Sequence, residues 1–154
     1  MQEAKFWLAW AQIEGVGPVI LRRLRHRFGN LETAWGASAA ELAQVEGLGD
    51  RKVEGILQGR SRLDPDRFWQ EHGEKNSQFW TPADDRYPRL LRELPGPPPV
   101  LYYRGQVEMA ENRGTVPAVG IVGTRSPSDY GKKWTHRIAT ALAKRGFCVV
   151  SGMA

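Results

Sequence analysis

The sequence predicts an N-terminal all-α region followed by the first part of an α/β domain. A short glycine motif that occurs twice, 32 residues apart, predicts the helical region, because apolar residues at helical spacing follow each copy. Two short apolar runs, 118–122 and 147–150, flank an amphipathic helix and predict a βαβ unit whose strands are buried on both faces.

The repeated motif reads Ile13-Glu14-Gly15-Val16-Gly17-Pro18 in the first copy and Val45-Glu46-Gly47-Leu48-Gly49-Asp50 in the second. The glycines permit a tight turn, and the apolar residue between them is predicted to pack against the two helices that the turn connects. The N–H groups of such a hairpin lie at the start of the second helix, where a DNA phosphate can bind without sequence readout. The candidate DNA-backbone residues are Gly15, Val16, Gly17, Gly47, Leu48 and Gly49.

This arrangement resembles the tandem helix–hairpin–helix, or SAM-like, fold. Such hairpins also serve as simple packing corners, and residues 1–72 carry no net charge, so a purely structural or protein-interaction role stays open. Basic residues nevertheless follow both hairpins: Arg22, Arg23, Arg25 and Arg27 in the first copy, Arg51 and Lys52 in the second. Trp7, Trp10 and Trp35 are predicted core residues rather than base-stacking platforms, since they are interleaved with apolar residues at helical spacing.

Apolar periodicity is lost over residues 58–77. Asp64-Pro65 is a helix start for a short helix that contains Phe68 and Trp69. Residues 72–77, His-Gly-Glu-Lys-Asn-Ser, are predicted to form a turn or linker. We therefore place the domain boundary there, with one domain at 1–72 and a second at 73–154.

The second domain is predicted to begin with a short strand at Phe79–Thr81 and a helix from Tyr87-Pro88 through Leu94. The proline-rich run 95–99 forces an extended path into Val100–Tyr103, because residues before proline avoid the α region. We interpret Val100–Tyr103 as an edge strand beside the parallel sheet, where proline is tolerated. Residues 106–116 are a polar connector.

The run from 118 to 131 is the candidate functional segment. Gly123 permits a sharp turn after the first strand, and Ser126 is predicted to cap a helix with Pro127 at its first position. Free backbone N–H groups and Arg125 then lie at a helix N-terminus, which is an anion site, and phosphate is the expected anion. The apolar face of the helix is predicted to comprise Tyr130, Trp134, Ile138 and Leu142. The alternative is that Gly123 only turns the chain and Arg125 is a solvated charge.

Several other kinds of site lack their sequence signals. The glycines at 120, 123 and 131 do not match a dinucleotide fingerprint, the second strand ends without an acid, and no Gly-Lys-Ser/Thr occurs. His26, His72 and His136 have no ligands at metal spacing, so no metal and no cofactor is expected. The single Cys148 lies mid-strand and is expected to be a buried, inert thiol.

Composition and charge narrow the setting in which the protein acts. No run approaches membrane-span length and no charged-then-apolar leader opens the chain, so the expected location is the cytoplasm, away from any membrane. The net charge of +5 lies entirely in residues 73–154, the half that contains Arg125. A polyanionic partner is expected to approach that half first, although ordinary solubilising charge explains the same excess.

The candidate segment also carries a family resemblance. Ile-Val-Gly-Thr-Arg-Ser-Pro-Ser-x-Tyr-Gly, followed by Gly-x-x-Val-Val-Ser-Gly-x-Ala, resembles the DprA (Smf) family of bacterial DNA-processing proteins. Upstream, Tyr87-Pro88, Leu90-Leu91, Pro98-Pro99 and Leu101-Tyr102 match the run that precedes this motif. The resemblance implies a Rossmann-like domain that binds single-stranded DNA and loads it onto the recombinase RecA in natural transformation and homologous recombination, without catalysis. The phosphate-binding residues that it implies are Gly123, Thr124, Arg125, Ser126, Ser128, Ser151 and Gly152.

The resemblance also implies that the sequence ends inside the Rossmann-like domain, where the family has further sheet and a further basic DNA contact. Two parallel strands and one helix cannot cover a sheet, so this half is expected to be exposed. The family's RecA-contact and homodimer surfaces lie mainly beyond residue 154. The alternative function is a nucleotide-phosphate-binding, Rossmann-like enzyme resembling phosphoribohydrolases, whose Pro-Gly-Gly-x-Gly-Thr segment would also come later.

Overall fold

A computed structural model describes residues 2–76 and 78–152, apart from the side chain of Gln2. Ser77 in the predicted linker, and Met153 and Ala154 at the end of the Ser-Gly-x-Ala motif, lie outside the described residues. The helices are α1 Gln2–Trp10, α2 Pro18–Phe28, α3 Leu31–Gly36, α4 Ala39–Ala43, α5 Asp50–Ser61, α6 Pro65–Lys75, α7 Arg89–Arg92, α8 Met109–Asn112 and α9 Asp129–Ala143. The strands are β1 Phe79–Trp80, β2 Leu101–Tyr102, β3 Ala118–Gly120 and β4 Cys148–Val150.

The chain forms two compact units. The helical unit comprises Met1–Tyr87 with Leu91–Gly105, and the βαβ unit comprises Pro88–Leu90 with Gln106–Ala154. The two compact units thus divide the chain after residue 72, where the sequence predicts the domain boundary. That boundary stays a prediction. No helix among the described residues is both long and apolar enough to cross a membrane.

The core of the helical unit joins both copies of the glycine motif. Leu21, Leu24, Leu31 and Leu42 are fully buried, as is Trp10, whose Nε1 donates a hydrogen bond to the Leu31 carbonyl at 3.0 Å. The predicted core role of the tryptophans is confirmed: Trp7 is buried as well, and Trp35 packs against this cluster. The apolar residues at helical spacing along α2 and α5 therefore lie on helix faces that pack into the same core.

The predicted linker is largely helical. The side chain of Asp64 caps α6, as predicted, but the helix continues to Lys75 instead of ending before residue 72. Aromatic contacts explain the longer helix: His72 lies edge-on to Phe79 with 5.0 Å between ring centroids, and its Nε2 is 3.0 Å from the Tyr102 hydroxyl. The last turn of α6 is thus held by the strand pair that follows it.

The strand predicted at Val100–Tyr103 has a different partner from the one expected. Its observed part, β2, pairs antiparallel with β1, so that Phe79 lies opposite Tyr102 and Trp80 opposite Leu101. The proposal of an edge strand beside the parallel sheet is therefore wrong. Since Tyr103 stacks on the buried Trp80 at 4.0 Å, aromatic packing fixes this pair within the helical unit. The predicted helix through Leu94 is reduced to the single turn α7.

The βαβ unit has the predicted topology. β3 pairs parallel with β4, with Ala118 opposite Cys148 and Gly120 opposite Val150, and α9 connects them. Burial of both strand faces is not observed, since the described residues of β3 and β4 are only half-buried or exposed. A two-stranded sheet with one helix has too little surface to cover itself, as expected for this half. Tyr130, Trp134 and Ile138, on the predicted apolar face of α9, are likewise exposed.

Candidate functional site

The Gly-Thr-Arg turn leaves the sheet at the carboxyl ends of both parallel strands. The Ile121 N–H donates to the Val150 carbonyl at 2.8 Å, which extends the ladder by one bond beyond β3. Gly123 and Ser151 therefore follow neighbouring strand ends. This edge is where open α/β sheets bind their ligands.

Ser128, and not the predicted Ser126, caps α9. The Ser128 hydroxyl oxygen accepts a hydrogen bond from the Gly131 N–H at 3.2 Å, and Ser128 itself has extended backbone angles. Ser126 instead belongs to the preceding turn, where its N–H donates to Thr124 Oγ1 at 3.3 Å. Pro127 consequently precedes the cap instead of occupying the first helical position. The motif has one serine on each side of the proline. Only the second, Ser128, accepts a hydrogen bond from the backbone N–H three residues later.

A cleft of about 620 Å³, here called the Gly-Thr-Arg cleft, lies at this edge. It brings together five of the seven predicted phosphate-binding residues: Gly123, Thr124, Arg125, Ser151 and Gly152. Ser126 and Ser128 hold the turn and the helix start and do not line it. Gly123 meets no atom within 4 Å of an added Cβ, so its surroundings leave the turn open to a ligand.

The first two turns of α9 add three residues that the sequence analysis missed, namely Lys132, Thr135 and His136. They occur at helical spacing after the Ser128 cap and so share the helix face that borders the strand ends. A helical projection from the correct cap would have identified them. The signal was hidden because Tyr130, Trp134 and Ile138 had defined the other face.

Positive charge dominates the cleft. Arg125 is exposed, and within the described part of the chain it pairs with no carboxylate. Lys132 makes a 3.3 Å ion pair with Asp129, but both side chains are largely exposed, and such surface pairs contribute little. Both cations can therefore turn toward an anion. The first-turn N–H groups of α9 add the partial positive charge of a helix N-terminus.

The two predicted hairpins have the expected geometry. Gly15 and Gly47 adopt φ values of 78° and 85°, a left-handed conformation that favours glycine, and the intervening Val16 and Leu48 are buried. Gly17 and Gly49 cap α2 and α5 without a side-chain hydrogen bond. The first-turn N–H groups of these helices thus receive no side-chain acceptor from their own caps.

The basic residues after the first hairpin mostly have partners within the helical unit. Arg23 donates to the Glu46 carbonyl at 2.8 Å and pairs with its carboxylate at 3.1 Å, while Arg25 pairs with Glu3 at 2.9 Å. Arg27 donates to Gln44 at 2.7 Å. Arg22 and His26 are exposed along a neighbouring cleft of about 480 Å³. Arg23 therefore links the first repeat to the second hairpin.

Two further predictions concern reactive groups. Partial burial and the neighbouring Glu111 raise the pKa of the Cys148 thiol, which keeps it protonated and weakly nucleophilic. The thiol is only partly buried, in contrast to the prediction. Within 2–76 and 78–152, no three His, Cys, Asp or Glu residues are grouped so that they could hold a metal ion.

Two segments of the chain, one in each half, match known protein families. Residues 78–154 match the family model described as DNA recombination-mediator protein A, and residues 10–60 match a SAM-like helix-hairpin-helix tandem. The chain belongs to the DNA recombination-mediator protein A family. The resemblance to DprA and Smf proteins and the predicted fold class are thereby confirmed. The two matched segments also correspond to the glycine-motif repeat and to the part of the chain that includes the Gly-Thr-Arg cleft.

Two relatives from this family illustrate the extent of the match. The chain is 53% identical over 152 residues to Protein Smf of Synechocystis sp., covering 99% of the chain but 38% of that protein. It is 35% identical over 72 residues to DNA processing protein DprA of Bacillus subtilis, covering 47% of the chain and 23% of that protein. The chain thus spans well under half the length of these relatives.

Proposed function

We propose that this protein binds single-stranded DNA through the Gly-Thr-Arg cleft and mediates its loading onto RecA in natural transformation and homologous recombination. The observation that carries the proposal is the exposed Arg125 guanidinium beside the open Gly123 turn and the start of α9. A guanidinium and converging N–H groups suit a phosphate diester, which offers two acceptor oxygens. Membership of a recombination-mediator family supports the same ligand.

The lining of the cleft favours an unpaired strand. It offers a guanidinium, a lysine, hydroxyl groups and backbone N–H groups, which are donors suited to backbone phosphates. A single strand can bend to follow such a surface with its bases free, whereas a duplex presents rigid grooves. Thr124, Ser151 and Gly152 would then contact the sugar-phosphate backbone beside the phosphate held by Arg125.

The hairpins are proposed as a secondary backbone contact. Gly17 and Gly49 leave the starts of α2 and α5 without a side-chain cap, as a phosphate site requires. Arg23, Arg25 and Arg27 have partners in the helical unit, and Lys52 Nζ donates to the Gly47 carbonyl at 3.1 Å. Arg22 and Arg51 are therefore the side chains that would reinforce this contact. We assign the hairpins the smaller share of affinity.

The proposed site is tested by measuring affinity for single-stranded and duplex DNA over a salt series. Arg125→Ala is expected to weaken single-strand binding and to reduce the slope of log K against log salt by about 0.7. Arg145→Ala is a matched control, because Arg145 lies beyond the other end of α9 and donates to the Ala141 carbonyl. Unchanged binding by Arg125→Ala would show that the site is assigned wrongly.

The proposal of a non-catalytic mediator is separated from a phosphoribohydrolase-like enzyme by a second measurement. A mediator should bind an oligonucleotide much more tightly than a nucleoside monophosphate, because several phosphates release counterions together. It should also release no free base from the monophosphate. Base release that is lost in Arg125→Ala would favour the enzyme.

RecA loading, a homodimer and a cytoplasmic location are proposed for the full-length protein. The assay for loading is the rate of RecA filament assembly on single-stranded DNA with and without the protein. Full-length wild type should raise that rate, and full-length Arg125→Ala should not.

A further inference from the structure

A second cleft, in the helical unit, combines aromatic and basic side chains. It has a volume of about 470 Å³ and is here called the tyrosine cleft. Its lining residues come from the end of α6 and from the β1–β2 pair: Lys75, Asn76, Gln78, Tyr102, Tyr103 and Arg104. Among these six described residues are two cations and no carboxylate.

The Tyr102 ring is exposed yet fixed in place. Its exposed fraction is 53%, which is high for a tyrosine whose hydroxyl is 3.0 Å from His72 Nε2. The ring also contacts Phe79 and His72, at 6.1 and 5.7 Å between centroids. A ring that is already immobilised loses little entropy when a ligand stacks on it.

The protonation states suit a negatively charged ligand. Burial raises the pKa of the Tyr102 phenol, so the ring stays neutral and does not repel phosphate. Burial lowers the pKa of His72, so its imidazole is neutral at neutral pH, and its Nε2 shares a 3.0 Å hydrogen bond with the Tyr102 hydroxyl. The α6 C-terminus contributes about half a negative charge, which the full charges of Lys75 and Arg104 exceed.

Backbone geometry fixes the rest of the cleft. The Tyr103 N–H donates to the Gln78 carbonyl at 3.1 Å, and the Tyr103 ring stacks on Trp80 at 4.0 Å with an interplanar angle of 18°. The Asn76 N–H donates to the His72 carbonyl at 2.8 Å. Lys75 and Arg104 thus each adjoin a residue, Asn76 or Tyr103, whose backbone N–H is hydrogen-bonded.

We propose that the tyrosine cleft is a second binding site for single-stranded nucleic acid, in which a base stacks on Tyr102 while Lys75 and Arg104 bind adjacent phosphates. An exposed aromatic ring in a cleft lined by cations is an arrangement by which proteins bind unpaired strands without reading sequence. The inference rests on the proposed function for the class of ligand. It assigns base stacking to the helical unit and phosphate binding to both units.

The test compares affinity for an oligothymidylate strand with affinity for an abasic strand of equal length. Tyr102→Ala should weaken oligothymidylate binding about five- to tenfold and leave abasic binding unchanged, whereas Tyr102→Phe should keep wild-type affinity for both strands. Lys75→Ala and Arg104→Ala should each reduce the salt slope by about 0.7 for both strands. Lys144→Ala, an exposed lysine beyond α9, is the matched control.

The outcomes separate this inference from the proposed function. Arg125→Ala should weaken the binding of both strands. If Arg125→Ala has no effect while the tyrosine-cleft variants do, the Gly-Thr-Arg site is assigned wrongly and the proposal for the tyrosine cleft is retained. If Tyr102→Ala weakens the binding of both strands equally, or of neither strand, the stacking site is refuted. Should circular dichroism show that Tyr102→Ala is unfolded, photocrosslinking decides. A strand containing 5-iododeoxyuridine should crosslink to the tryptic peptide 93–104, and crosslinking only elsewhere overturns the inference.

Discussion

The helical unit and the βαβ unit differ most in how they bury apolar side chains. The helical unit has a continuous core in which Trp10, Leu21 and Leu24 are inaccessible to solvent. In the described part of the βαβ unit no residue is buried, and Val122 is 91% exposed. Both units have sequence patterns that predict regular helices or strands. A pattern that predicts a helix or strand therefore does not by itself predict that its apolar face is buried.

This difference bears on how each unit is stabilised. Burial of apolar surface is the main favourable term in folding, at about 25 cal/mol per Å², and it acts chiefly in the helical unit. The βαβ unit depends more on its helix cap, its strand pairing and its turn hydrogen bonds. Segments of this kind open locally at low free-energy cost.

The largest expected effect comes from replacing one tryptophan in each unit. Trp10→Ala removes a fully buried ring and leaves the Leu31 carbonyl without its donor, so it should cost about 3–5 kcal/mol of unfolding free energy. Trp134→Ala removes a ring that is 40% exposed and should cost much less. Urea titration followed by circular dichroism measures both. Equal costs would contradict the contrast between the units.

The next effect concerns glycines with positive φ. Gly47→Ala and Gly146→Ala, at φ 85° and 79°, should each cost about 1–2 kcal/mol, because a Cβ is strained in this conformation. At Gly47 the new Cβ would also lie 2.5 Å from Arg23 Nη1, whereas Gly146 has open space. Gly47→Ala should therefore cost more, and hydrogen exchange should show faster opening of the second hairpin. Arg23→Ala should remove that excess.

Helix caps provide a smaller and closely matched test. Ser38→Ala at α4 and Ser128→Ala at α9 should each cost about 1 kcal/mol, because each loses a hydrogen bond that a backbone N–H donates to the serine oxygen. In the helical unit the core should confine the effect to α4. In the βαβ unit hydrogen exchange should show fraying that spreads along α9. Fraying confined to the first turn of α9 would argue against its local stabilisation.

The Ser38 cap also carries a pH dependence. Hydrogen bonds from the Ser38 side chain and backbone lower the pKa of Glu41, so its folded pKa lies below the unfolded value. This contribution is present above the unfolded pKa and is lost as pH falls through the folded pKa. Stability should therefore fall more steeply with acid in wild type than in Ser38→Ala, as measured by thermal unfolding over an acidic pH series.

The smallest effect is expected from His72. Burial lowers its pKa, so the unfolded chain takes up the proton first as pH falls below about 6.5. Stability is unaffected above that pH and declines between the unfolded and folded pKa values. His72→Gln should flatten this part of the profile for peptides of β1 and β2 in hydrogen exchange. Peptides of the βαβ unit should not respond, and a response there would contradict the assignment.

Much of the fold follows from local patterns. The two Gly-x-Gly turns and the βαβ topology were predictable, because positive-φ glycines and short β-branched runs have strong local preferences. The length of α6 and the partner of β2 were not predictable, since ring contacts between His72, Phe79 and Tyr102 decide both. Such contacts join residues far apart in sequence and leave no local signal.

The candidate site divides in the same way. Gly123, Thr124 and Arg125 could be found from one motif, and Ser151 and Gly152 from the register of a parallel pair. Lys132 and His136 required the correct helix start. Two serines flank Pro127, and only the turn geometry distinguishes which one caps the helix. In the tyrosine cleft, Tyr102 belongs to the run that resembles the family, but the other lining residues come together through non-local packing.

The aromatic seam between α6 and the β1–β2 pair affects how the protein can be shortened for experiments. A cut between residues 72 and 73, the boundary suggested by sequence, would sever the chain beside His72 and separate Trp69 from Phe79. The resulting fragment would present bare rings to water and aggregate. A fragment that extends to Gly105 would keep the seam intact and is the better choice for spectroscopy of the helical unit.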